Sequence, residues 1–261
     1  MGGVGGLGLI VVLLMVFLGG GEAGNLGEVL SQLDAAQSGN RTEPVDLTPA
    51  ELESASFAEA VLGDLDLLWI DVFGQSERTY HKPTMVIFRG FTNSACGGAS
   101  EQVGPHYCPL DSTIYLDETF FDAVLENRLG AEGGDFAEAY VIAHEVGHHV
   151  QNELGISTEV RSLQQANPAE ANTLSISLEL QADCLAGVWA FTLAQRGDIL
   201  DSTDIREALD AAAAVGDDRI QQKTSGMINK ETWTHGSAEQ RVEWFTLGYQ
   251  TGDPNRCNTF G

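Results

Sequence analysis

His144 and His148 stand four apart in the run Ala143-His-Glu-Val-Gly-His-His-Val-Gln151, with Glu145 between them. Residues four apart on a helix share a face, one turn from each other, so both imidazoles can reach a single metal ion. The glutamate after the first histidine then stands beside that ion, where it can take a proton from an attacking water. This is the HExxH pattern of zinc sites. With six histidines in 261 residues it arises by chance in on the order of 1% of such chains. The alternative reading, a pair of core histidines held by hydrogen bonds, has to be weighed on the elements around them.

A helix is expected here independently of the motif. Asp135 is read as its start, with Glu138 completing a capping box. Phe136, Tyr140, Ala143, Gly147 and Val150 recur at helical spacing, and Leu154-Gly155 is a stop signal. A catalytic zinc usually has three protein ligands and one open position. The continuation HExxHxxGxxH would need Gly and His where Gln151 and Leu154 stand, so the third ligand has to come from elsewhere. Residues 172–196 form an apolar helical stretch closed by Gly197, and it carries Glu179 and Asp183 four apart. Carboxylates rarely enter an apolar stripe unpaired. Glu179 is therefore read as the third ligand. Asp183 is read as the acceptor for the non-ligating nitrogen of a zinc histidine. A solvated pair on the helix rim is the competing reading, and Leu178, Leu180, Cys184 and Leu185 around them argue against it.

Three segments, 143–151, 178–190 and 234–245, resemble the bacterial neutral zinc metallopeptidase family. Ser94–Gly97, Tyr107–Pro109 and 212–219 belong to the same likeness. It runs from about Leu67 to the C-terminus and includes the Gly-rich apolar segment near the N-terminus. The resemblance implies a zincin-type fold and a zinc peptidase assignment, and it names no substrate. The Glu-x-x-Ala-Asp element at 179–183 is also similar to the third-ligand motif of membrane CAAX-type endopeptidases, over that motif alone.

The chemistry expected is gluzincin-like peptide hydrolysis: one Zn2+ on His144, His148 and Glu179, with Glu145 as general base. A further donor should stabilise the oxyanion. His235 is the candidate, because it precedes a helix start at Ser237 with Gln240 in a capping box. A turn histidine without chemistry is the alternative. His106 and Tyr107 are weaker candidates for the same role. His149 is expected to pack or hydrogen-bond on the neighbouring helix face, and His81 to lie at the surface. Asp217 and Asp218 are read as flanking a helix start after Gly216.

Composition bounds the partners. At 43% hydrophobic the chain can build a full core, while a net charge of −25 repels nucleic acid and anionic lipid. A peptide or protein substrate is the expected partner. Residues 1–21 carry no charged side chain and are mostly apolar. They are read as a single membrane anchor, with a cleaved signal as alternative. Residues 22–47 then form a linker, with a short helix near 26–36, and 48–261 the metallopeptidase domain. The expected location is the cell membrane, single-pass, with the catalytic domain on the extracytoplasmic side, or else secretion.

The four cysteines contain no Cys-x-x-Cys, which argues against a structural zinc, and allow three disulfide pairings. Cys96–Cys108 is the local candidate; Cys184–Cys257 would then tie the C-terminal tail to the Glu179 helix and stabilise by about 2–5 kcal/mol. Four reduced thiols would fit a cytosolic protein, but an even count beside a membrane segment favours oxidation.

Helices are expected at about 48–72, 201–215 and 238–248. Strands are expected at 84–89 and 112–116, followed by a helix capped by Asp117 and running to about Arg128. Strands before the HExxH helix and helices after it imply an α+β fold, mostly helical with a small sheet. The 112–116 strand is expected to offer its edge to an extended substrate. Two further readings stay open: a catalytically silent zinc-binding envelope protein, and a zinc amidase acting on a non-peptide cell-wall bond.

Overall fold

Pro49 opens the first helix at its first turn, where a missing N–H costs nothing. The computed structural model describes residues 48–100, 104–197 and 200–260; the expected anchor at 1–21 and linker at 22–47 lie outside them. Helix α1 (Pro49–Gln75) buries Val61, Leu65 and Trp69, leaving Phe57 and Leu68 partly covered. The chain then makes β1 (Thr84–Phe88), a hairpin of β2 (Phe91–Ser94) and β3 (Gly97–Ser100), and β4 (His106–Cys108) and β5 (Thr113–Asp117). After a π-helical turn (Phe121–Glu126) all remaining long elements are helices: α2 (Asp135–Glu153), α3 (Ile156–Ala166), α4 (Ala171–Gln195), α5 (Ser202–Ala214), α6 (Asp217–Thr224) and α7 (Ala238–Thr251). The fold is α+β and mostly helical. No helix among the described residues is long and apolar enough to cross a membrane.

The sheet departs from the expectation in one respect that matters. Its order is β1-β5-β4, with β5 parallel to β1 and antiparallel to β4. All five residues of β5 are buried, so 112–116 is a central strand with no edge to offer. The edges belong to β1 and β4, and the three residues of β4 are too short a run to read as a strand. Asp117 is likewise not a helix cap. It ends β5, where its Oδ1 accepts from the Thr119 amide at 2.9 Å and its Oδ2 from the Gly90 amide at 3.1 Å.

Helix α2 starts at Asp135, but Gly134 is its cap and no side chain of its own segment caps it. Glu207 of α5 does that work, accepting from the Phe136 amide at 3.2 Å. The expected Asp135–Glu138 box is thereby replaced by a carboxylate from 71 residues away. At the other end Gly155, at φ 80°, stops the helix as expected. Capping boxes do form at Asp201 with Asp204, and at Ser237 with Gln240.

Small residues set how close the helices come. A Cβ on Gly147 would lie 2.9 Å from the Ala182 Cα, so α2 and α4 meet almost backbone to backbone. On the far side of α4, a Cβ on Gly248 would stand 1.9 Å from the Cys184 carbonyl oxygen. Helix α4 is thus held between α2 and α7. Around this seam the core includes Trp189 stacked on Phe136, with Tyr140 edge-on to Phe245. Two disulfides are present, Cys96–Cys108 and Cys184–Cys257, spanning 12 and 73 residues. The second ties the C-terminal tail to α4 beside Asp183.

Candidate metal centre

The close approach at Gly147 brings the two faces of the sequence pattern together. His144 and His148 on α2 point at Glu179 on α4: His144 Nε2 lies 3.2 Å from Glu179 Oε2, and His148 Nε2 lies 3.4 Å from Glu179 Oε1. One ligand atom from each of the three residues falls within 4.8 Å of the others. Ligands on a tetrahedral zinc at about 2.0–2.2 Å stand roughly 3.3 Å apart, so this donor set fits the ion in both chemistry and spacing.

The outer nitrogens are fixed by acceptors. His144 Nδ1–H donates to Asp183 Oδ1 at 2.8 Å. His148 Nδ1–H donates to Gln151 Oε1 at 2.9 Å. Gln151 is oriented in turn by its Nε2, which donates to the Leu178 carbonyl at 2.7 Å and to Gln181 Oε1 at 3.1 Å. With its outer nitrogen held as a donor, each imidazole would offer Nε2 to a metal at the common point, the tautomer a metal requires.

Asp183 is fully buried and serves more than one partner. Arg241 of α7 donates to it through Nε at 2.8 Å and Nη2 at 2.9 Å, and the Tyr140 hydroxyl donates at 2.6 Å. Burial opposes the Asp183 charge, but Arg241 and His144 outweigh it and hold the carboxyl below its usual range. Burial opposes the charge of Glu179 as well, and His148 and His144 together keep it far below the ordinary range. The same carboxylates overcome the burial of His144 and raise it to about 10, a measure of how strongly this pocket favours positive charge. Sequence reasoning gave Arg241 and Tyr140 no role here. A signal existed for the first: Arg241, Phe245 and Gly248 share one face of α7, and an arginine in such a stripe needs a buried partner.

Glu145 is buried, and its Oε2 has no hydrogen-bond partner. It lines a cleft of about 680 Å³ together with the three convergent residues, His235 and Arg241. His235 comes from the loop before α7 and its side chain is 48% exposed. Asp217, the first residue of α6, holds that loop: its Oδ2 accepts from the amides of Thr234, His235 and Gly236 at 2.7, 2.6 and 3.0 Å. Its Oδ1 takes the His235 Nδ1–H at 3.2 Å. Burial opposes the His235 imidazolium, and Asp217 and Glu179 prevail to raise its pKa.

The remaining histidines separate. His149 is buried behind the cleft. Its Nε2–H donates to the His81 carbonyl at 2.6 Å, so its Nδ1 accepts from the Tyr107 hydroxyl at 3.0 Å. That hydroxyl also accepts from Asn152 at 3.1 Å, which engages Tyr107 with α2. His106 lines the cleft and stacks on Tyr115. His81 is exposed, with Nδ1 2.8 Å from Glu153.

A family model described as "Putative neutral zinc metallopeptidase" matches residues 1–260. The chain belongs to that family. Among curated relatives, the "Uncharacterized protein YpfJ" of Escherichia coli (strain K12) is 45% identical over 262 residues, covering 99% of this chain and 88% of the relative. An uncharacterized protein of Mycobacterium tuberculosis (strain ATCC 25618 / H37Rv) is 54% identical over 190 residues, covering 69% of this chain and 63% of its own. No solved structure matches the chain. For a neutral zinc metallopeptidase, the His-His-Glu group at 144, 148 and 179 is the set of donors that suits its metal.

Proposed function

We propose that this chain is a zinc-dependent endopeptidase of gluzincin-like mechanism. The observation that carries the reading is the buried, unpartnered Glu145 oxygen beside three convergent metal-type donors. His144, His148 and Glu179 would hold the ion. When bound, zinc supplies Lewis acidity, which activates water and polarises a carbonyl. The chain's own residues do the rest. Glu145 takes the proton of the attacking water and returns it to the leaving amine, so water is divided between a new carboxylate and a new amine. Asp183 and Gln151 keep the histidines in one tautomer. His235, held at Nδ1 by Asp217, has its Nε2 free to donate to the developing oxyanion. Substrate lies extended along the open edge of β4.

The two disulfides support an oxidising location outside the cytoplasm. We place the domain there, tethered by residues 1–21 or secreted.

The test pairs metal with turnover. Full-length protein and its Glu145→Gln variant are assayed for zinc per chain and for cleavage of an unbiased peptide library. The expected result is one zinc in both and a loss of cleavage of at least about 10²-fold in the variant. Full activity in Glu145→Gln would remove the general base. Zinc in both with cleavage by neither would turn the reading to a silent binding protein or to a non-peptide amide.

A further inference from the structure

The cleft wall beyond the metal centre has the opposite charge to the molecule. The chain carries 38 acidic side chains against 13 basic ones. Yet among the described residues the carboxylates lining the cleft are Glu145 and Glu179, both already assigned to the centre, whereas Arg128 and Arg161 also line it. Both arginines are exposed, and neither has an ion-pair or side-chain hydrogen-bond partner among the described residues. Elsewhere on the surface Arg89, Arg196 and Arg206 each sit on a carboxylate, while Arg78, Arg219 and Arg256 have no ion pair among the described residues, so it is their place in the cleft that sets Arg128 and Arg161 apart. The acids nearest Arg128 in sequence are engaged away from it: Glu132 pairs with Arg206, and Glu126 packs against Gly133.

The two arginines have different neighbours along the chain. Arg128 stands where Phe120, Val124, Leu129 and Ile220 make the cleft apolar, and Arg161 stands beside Ser157, Gln164 and Ser175, where it is polar. The cleft is also lined by α2 from Val141 to Gln151, about 15 Å at 1.5 Å per residue. That is the length of four or five extended residues at about 3.3 Å each. A guanidinium is the side chain best suited to grip a carboxylate through two parallel hydrogen bonds.

We propose that the substrate is an acidic peptide segment, whose carboxylates meet Arg128 and Arg161 and which carries an apolar side chain near Arg128. This rests on the peptidase reading above and adds the class of substrate to it. The metal centre cuts; Arg128 and Arg161 choose what is laid across it.

The experiment uses the full-length, zinc-loaded protein and three fluorescent peptides with one apolar centre and Glu, Gln or Lys in the flanks. Cleavage is read as kcat/KM. Binding is read separately, by fluorescence anisotropy on Glu145→Gln. The Glu peptide should lead the Lys peptide by on the order of tenfold in both readouts. Arg128→Glu and Arg161→Glu, each checked for zinc content, should erase or reverse that order, and Arg161→Gln should reduce it. If no peptide is cut but the Glu peptide still binds best and Arg161→Glu abolishes the preference, the peptidase reading fails and the charge selection stands. Equal treatment of Glu and Lys peptides, or a preference that neither arginine substitution moves, overturns the inference while leaving cleavage intact.

Discussion

Asp183 is fully buried, and its charge is shared among His144, Tyr140 and Arg241. Removing one member of a buried pair leaves an uncompensated charge and costs about 3–5 kcal/mol. Arg241→Met should lose that much in urea denaturation. Arg241→Lys should recover little, because a point charge cannot bond both carboxylate oxygens in one fork. A midpoint within experimental error of wild type for Arg241→Met would show that Asp183 is held by His144 and Tyr140 alone. This residue also marks the limit of local sequence reading. His144, Glu145 and His148 could be grouped from their spacing, and Glu179 and Asp183 from two acids in one apolar stripe. The convergence of Arg241 on Asp183 depends on α7 lying across α4, which no periodicity announces. Tyr140 was legible as a core residue and not as a donor, since its hydroxyl finds its acceptor 43 residues away.

Elements contribute a pH dependence of their own. Glu138 lies on α2 near Ser54 of α1, and its Oε1 is buried without a partner. Burial raises its pKa from 4.5 to about 7, with help from Asp135 and Asp122 and against a hydrogen bond to Ser54. A raised carboxyl favours the folded state only while it keeps its proton. Its contribution is therefore whole below about pH 4.5 and is lost as pH rises through about 7. Glu138→Gln removes the charge and keeps the shape. The variant should melt with wild type near pH 4.5 and above it at pH 8, by about 1–2 kcal/mol once partial exposure is allowed for, or roughly 2–6 °C. A Tm difference that stays constant from pH 4.5 to 8.5 would rule out this titration. The same helix shows why element ends were less legible than element existence. The apolar spacing places α2 correctly, but its cap is Glu207 from α5, and a cap supplied across space leaves no mark in the flanking residues. At 117–128 the local pattern predicts a capped α-helix. Asp117 serves the end of β5 instead, and the backbone that follows is π-helical.

Charge distribution links the fold to the encounter with substrate. Strand order was not legible for a related reason: that β5 lies between β1 and β4 is a property of long connections, not of any one segment. The surface charge, by contrast, is read from composition directly. The chain carries a net −25, yet its cleft presents Arg128 and Arg161, so an acidic peptide meets repulsion at a distance and attraction on arrival. Salt separates the two. Raising ionic strength from 0.01 to 0.15 M shortens the Debye length from about 30 Å to about 8 Å, which screens the molecular field far more than contacts of a few ångströms. The association rate of a Glu-flanked peptide with Glu145→Gln should therefore rise with salt, while its dissociation rate rises only modestly. Stopped-flow anisotropy across that range reads both. Association that slows with salt would mean that the cleft's own positive field, and not the acidic surface, steers the approach. A Lys-flanked peptide should show the reverse order in the same instrument: fast encounter at low salt, slowed by screening, and rapid release from a wall whose described residues offer it no carboxylate beyond the metal centre.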